Sequence, residues 1–131
     1  NIQYATVETS DWPITVINFH GLWNGEGKGD SEDRLRQTDN IISFLKTLSR
    51  PYILCGDFNL LPETESLKKF EKFGLKNLIA EYGITSTRSS LYEKSEQFAD
   101  YVFVNDKVII NEFNTLPEEV SDHLALYLDF N

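Results

Sequence analysis

Apolar and polar side chains alternate at the start of the chain, with Ile2, Tyr4 and Thr6 set against Gln3, Ala5 and Val7. Alternation of this kind predicts a half-buried strand. Asp11, Trp12 and Pro13 then read as a turn, and the β-branched run Ile14 to Phe19 as a more buried strand continuing a hairpin and ending at His20-Gly21. Leu22 to Asp30, with Gly25, Gly27 and Gly29 among polar residues, predicts a mobile loop. From Ser31 the period changes: Leu35, Thr38, Ile41, Ile42, Leu45 and Leu48 recur at helical spacing behind Asp30 or Ser31 as N-cap, and Pro51 ends the helix.

Tyr52 to Cys55 is a short apolar run that predicts a central strand, and Gly-Asp-Phe-Asn follows it directly. A second helix is expected from about Glu63 to Phe73, with Leu67, Phe70 and Phe73 on one face, Lys68, Lys69 and Lys72 on the other, and Gly74 as its stop. Leu75 to Tyr82 is ambiguous between a short helix and irregular chain. After the polar stretch Thr85 to Gln97, strands are expected at Tyr101 to Val104, Val108 to Phe113 and Leu124 to Phe130. Strands outnumber helices and are joined by short turns, so the expected class is α/β of the α+β kind: a mainly antiparallel sheet with helices packed on it.

Composition narrows the reading. The chain has 131 residues, 40% hydrophobic and 25% charged, which suits one globular domain rather than a disordered segment. No stretch approaches the roughly 18 apolar residues that span a bilayer. A net charge of −9 argues against a broad basic face that grips nucleic-acid backbones, while leaving a local basic patch open. Cys55 is the only cysteine, so no intrachain disulfide or cysteine metal cluster forms, and its apolar neighbours predict a buried, inert thiol. The cellular location is left open, although a single free thiol suits the cytoplasm. Gly-Glu-Gly-Lys-Gly lacks the spacing and terminal Lys-Ser/Thr of a phosphate-binding P-loop.

Polar residues with chemical potential fall at strand ends in four places: His20, the pair Asp57 and Asn59, Asp100, and the pair Asp122 and His123. If the strand stays extended, Asp57 and Asn59 point to one side and Phe58 to the other. A turn after Val120-Ser121 would aim Asp122 and His123 at one pocket. An imidazole beside a carboxylate suits a general base or a charge stabiliser, and carboxylates with an amide oxygen suit a hard cation such as Mg²⁺. Taken singly, each residue also has an ordinary role as turn former, cap or hydrogen-bonded structural group.

In order along the chain, Asn18-Phe19-His20, Gly56-Asp57-Phe58-Asn59, Asp100-Tyr101-Val102-Phe103-Val104 and Ser121-Asp122-His123 resemble the motifs of the endonuclease/exonuclease/phosphatase superfamily, the metal-dependent phosphoesterases that include DNase I-like nucleases, sphingomyelinases and deadenylases. The resemblance implies a four-layer α/β sandwich of which this chain matches the C-terminal half. The family's upstream Asn and its principal metal-binding Glu have no counterpart here, because Glu8 and Glu26 lie in the wrong motif context. With no methionine and an Asn at position 1, the chain is expected to lack upstream sequence.

The resemblance further implies that Asp57 acts on the water nucleophile or the leaving oxygen and that Asn59 holds a phosphate oxygen or that water. Asp100 would orient His123, His123 would stabilise the phosphate or serve as base, His20 would contact the scissile phosphate, and Asp122 would help bind Mg²⁺, with Mn²⁺ as a substitute. Arg88, on a loop where relatives face substrate, would meet a phosphate, and Trp23 would stack on a base or sugar. The substrate class is a phosphoester of a nucleic acid, nucleotide or phospholipid head group. The residues before Asp100, Glu96-Gln97-Phe98-Ala99, lack the Trp-Cys pattern of inositol phosphatases. A second expectation is a catalytically incomplete half-domain that binds an N-terminal half or associates with itself through its bare sheet face.

Overall fold

The computed structural model describes residues 1–9 and 11–131. Its strands are β1 (Ile2–Val7), β2 (Ile14–His20), β3 (Tyr52–Asp57), β4 (Lys76–Asn77), β5 (Asp100–Val104), β6 (Ile110–Thr115) and β7 (Leu126–Phe130). The helices are α1 (Glu32–Leu45), α2 (Glu65–Lys72) and α3 (Leu78–Glu81). Five strands form one sheet in the order β1-β2-β3-β5-β4, and β6 pairs with β7 in a second, two-stranded sheet. β2 and β3 run parallel while β1–β2, β3–β5 and β4–β5 are antiparallel, so the expected mainly antiparallel sheet contains one parallel pair. That pair needs a long crossover, and α1 supplies it.

The pleat sorts side chains into two faces. Ile17, Leu54 and Phe103 are adjacent across β2, β3 and β5 and are fully buried, against Leu45 of α1 and Leu67 and Phe70 of α2. Phe58 is the hub of this layer: its ring packs 4.9 Å from Phe19, 5.9 Å from Phe70, 5.5 Å from Tyr101 and 5.6 Å from Phe103. Edge-to-face aromatic packing of this kind adds to the area it buries. On the opposite face Val16, Ile53, Cys55 and Val102 look across a cleft of about 420 Å³ at Leu124, Leu126, Leu128 and Phe130. The same face carries Asn18, His20, Asp57 and Asp100 at one end of the strands, because these residues share register positions on β2, β3 and β5.

Several local expectations change. β1 is an edge strand exposed along its whole length rather than half-buried, and the Tyr4 ring lies 5.1 Å from that of Phe44 on α1. Its hairpin nevertheless forms, with the backbone amide of Trp12 donating to Thr9 Oγ1 in the turn. Ser31 alone caps α1, accepting from the Arg34 amide at 3.3 Å. Asp30 caps α2: its carboxylate accepts from the amides of Glu65 at 2.6 Å and Ser66 at 2.9 Å and from the Ser66 hydroxyl at 2.5 Å. Burial opposes ionisation of Asp30, but the Ser66 and Glu65 hydrogen bonds outweigh it and hold the carboxyl below its usual range. The ambiguous stretch resolves into β4 followed by the single turn α3.

The glycine-rich segment expected to be mobile is tied down. Arg34, 3% exposed, donates to the carbonyls of Leu22, Gly27 and Gly29, with the Gly27 bond at 2.7 Å. Leu61 donates to the Lys28 carbonyl at 3.0 Å. Together these bonds fold the loop back over the end of the sheet where His20 and Asp57 lie.

Candidate active site

Two glycines let the site strands approach. Gly56 has φ +133°, and a Cβ there would stand 2.1 Å from the Phe19 carbonyl oxygen. Gly21 presses equally close, with a built Cβ 2.0 Å from the Phe58 carbonyl oxygen, while its amide donates to the Asp57 carbonyl at 2.7 Å. Only glycine tolerates this proximity. The result sets His20 beside Asp57 in the parallel register of β2 and β3, and Asp57 opposite Asp100 across β3 and β5.

β3 stops at Asp57. Asn59 adopts φ +53°, a left-handed conformation that asparagine tolerates, so the extended alternation expected of Asp57 and Asn59 does not hold. They converge by another route: the Asn59 amide donates to Asp57 Oδ1 at 2.8 Å, the Asn59 side chain donates to the Gly21 carbonyl at 3.3 Å, and both residues line one cleft with His20.

His123 arrives from the far end of the chain through an isolated antiparallel bridge with Arg88. The amides of Ser89 and Leu124 donate to the carbonyls of Asp122 and Thr87, at 3.2 and 3.0 Å, and lock the two segments together. Thr87, fully buried, also positions Asp100: its Oγ1 accepts from the amides of Ala99 at 3.0 Å and Asp100 at 3.2 Å. His123 Nδ1 then lies 2.8 Å from Asp100 Oδ2, and its Nε2 lies 3.9 Å from Asp57 Oδ2. Burial drives the Asp100 carboxyl above its usual pKa, against the opposing pull of the His123 hydrogen bond and charge.

Arg88 completes the wall. It is 8% exposed, not a solvated loop residue, and its Nη1 lies 3.0 Å from Asp122 Oδ2 and 2.5 Å from His123 Nε2. With Arg88 donating to Nε2, the hydrogen-bond network assigns the His123 proton to Nδ1, where it is donated to Asp100. Asp122 is thus engaged by Arg88. Asp57, Asp100 and His123 form the group whose donor atoms lie within 4.8 Å of one another, close enough to share a cation. Trp23 is 49% exposed over the same cleft, with Lys94 Nζ 5.8 Å above its ring.

Thr87, Lys28 and Tyr92 were not marked by the sequence. The last two line the cleft with His20, Trp23, Asp57, Asn59, Arg88 and Lys94. Thr87 carried no signal beyond a polar loop, and Lys28 lay hidden in the glycine-rich segment.

The mixed α/β fold with two sheets agrees with the fold class that the four motifs imply. The family model described as Endonuclease/Exonuclease/phosphatase family matches residues 2–123, and the chain belongs to that family. Among solved structures, an endonuclease/exonuclease/phosphatase family protein from Bacteroides thetaiotaomicron superposes with a TM-score of 0.79 at 18% identity, over 98% of this chain and 53% of that one. The human Nocturnin catalytic domain with bound sulfate gives 0.70 at 20% identity, over 99% and 52%. TDP2 of D. rerio, humanized by 14 mutations, gives 0.75 at 18% identity, over 100% and 60%. The chain therefore spans little more than half the length of these structures. Comparison with curated proteins found no match.

Proposed function

We propose that this chain carries the acid and histidine side of a divalent-metal phosphoesterase site that hydrolyses a phosphate ester by attack of water. The observation that supports it most is the convergence of Asp57, Asp100 and His123 within 4.8 Å at the end of the sheet, beside His20 and Asn59. Names among the structural neighbours point the same way: one is a mannosyl-6-phosphatase from Bacteroides thetaiotaomicron, and TDP2 of D. rerio was solved with a single strand DNA product.

The 3.9 Å between Asp57 Oδ2 and His123 Nε2 suits a bridging water rather than a direct bond. Asp57 and His123 orient this water and take its proton as its oxygen bonds to phosphorus. The bond from phosphorus to the ester oxygen breaks opposite, and that oxygen receives a proton from His20 or solvent. Asp100 keeps the His123 proton on Nδ1, so the Nε2 lone pair becomes available to the reacting atoms once Arg88 turns from it to the phosphate. Arg88 and the Asn59 amide hold phosphate oxygens, and Trp23 supports the leaving group.

The donor set fits a hard cation, since Asp57 and Asp100 offer carboxylate oxygens and the group contains no thiol. Asp57 and Asp100, joined by Asp122 once Arg88 turns to the substrate, would hold Mg²⁺ or Mn²⁺, which would supply charge neutralisation of the phosphate. The test is nitrophenol release from p-nitrophenyl phosphate and bis-p-nitrophenyl phosphate by the full-length protein with Mg²⁺ or Mn²⁺, lost on Asp57→Ala.

A further inference from the structure

Lys28 has no part in the reaction described above, yet it is buried at the same cleft. It is 4% exposed, and among the described residues its ammonium group makes no ion pair and finds one hydrogen-bond acceptor, the Phe98 carbonyl at 2.8 Å. Its Nζ lies 5.2 Å from the centre of the Tyr92 ring, and Arg88 Cζ lies 4.2 Å from the same centre. Two cations thus share one aromatic ring. Burial lowers the Lys28 pKa, and the Arg88 charge lowers it further, against Asp57, Glu96 and Asp100. Arg88 Nε is itself buried without a partner.

Buried donors of like charge left short of acceptors cost free energy that an anion recovers. The cleft has room for one: about 320 Å³, open to solvent, with the exposed Lys94 on its rim. In a chain of net charge −9, this is a local reversal of sign. Asp57 lines the same cleft, and a phosphate reacting beside it leaves Lys28 free for a neighbouring group.

We propose that Lys28 and Lys94, with Tyr92, form a second anion subsite beside the phosphate that Arg88 holds, which takes a further phosphate on the substrate. The substrate class is then a compound with two neighbouring phosphoryl groups. This inference rests on the phosphoesterase reading for its placement, but its test does not.

Calorimetry on the metal-free full-length protein, with inorganic phosphate and inorganic pyrophosphate as probes, reads the subsite directly. Pyrophosphate is expected to bind about tenfold tighter than phosphate, from the added charge-assisted bonds. Lys28→Gln removes that preference and Lys28→Arg restores most of it. Lys94→Gln, at an exposed position, narrows it about threefold without disturbing the fold, and carries the test should Lys28→Gln unfold by circular dichroism. Equal binding of the two probes, no binding of either, or an unchanged preference in both Gln variants overturns the subsite. A preference for pyrophosphate without hydrolysis of any phosphoester keeps the subsite and removes the phosphoesterase reading instead.

Discussion

His123 donates its Nδ1 proton to Asp100 Oδ2 across 2.8 Å, between residues 23 positions apart in the chain. Thr87 makes this pairing, because it fixes the Asp100 backbone through its hydroxyl and the His123 segment through its carbonyl. Asp100→Asn would offer an amide in place of a charged acceptor and lower kcat about a hundredfold or more. The thermal transition is expected to move far less than the rate.

The pH dependence follows from the same carboxyl. Burial raises the Asp100 pKa, so it holds its proton to higher pH than an ordinary aspartate near about 3.9. Activity that needs the ionised form is present above the raised value and lost as pH falls through it. A kcat/KM profile should therefore show an acid limb above the ordinary aspartate range, and Asp100→Asn should abolish it. For stability the sign is opposite. The folded state binds this proton more tightly than the unfolded chain, so the cost of burying the charge appears as pH rises through the raised value.

Gly56 and Gly25 both have positive φ and make predictions of different size. Gly56→Ala pushes a methyl carbon into the Phe19 carbonyl and should cost about 2–4 kcal/mol in urea unfolding. At Gly25, φ +79° with nothing within 4 Å, only backbone strain remains, and alanine should cost about 1 kcal/mol.

Asn59 separates fold from function. Asn59→Gly keeps access to the left-handed backbone and should leave the thermal midpoint within a few degrees, while losing the amide proposed to hold phosphate. A rise in KM with little change in melting is the expected result. Asn59→Ala should lose both, since alanine also strains the backbone by about 1–2 kcal/mol.

Asp30→Ala removes the cap of α2 and should destabilise the protein by about 1 kcal/mol. Because the folded-state pKa of Asp30 is depressed, this contribution is present above the unfolded value and fades as pH falls through the folded one. Urea midpoints of wild type and variant should converge in acid.

The sequence made α1 legible because its helical period is unbroken over many residues, and the strands other than β4 because short apolar or alternating runs mark them. β1 shows the limit: alternation predicts which side chains share a face, but whether a face is covered depends on how far α1 reaches. The site was half visible. Asp57, Asp100 and His123 stand in short motifs at strand ends, whereas Lys28 and Thr87 act through tertiary bonds to the Phe98 carbonyl and the Ala99 and Asp100 amides. The direction of the Asp30 carboxylate was hidden for the same reason, since α2 begins 35 residues beyond it.

The most direct test of the central claim is the rate of phosphate or nitrophenol release from p-nitrophenyl esters by the full-length protein with Mg²⁺ or Mn²⁺, compared with Asp57→Ala and His123→Ala at matched folding by circular dichroism. The account predicts metal-dependent release by the wild type and a loss of about a hundredfold or more in each variant. Release that survives both substitutions, or no release by the wild type from either ester, contradicts it.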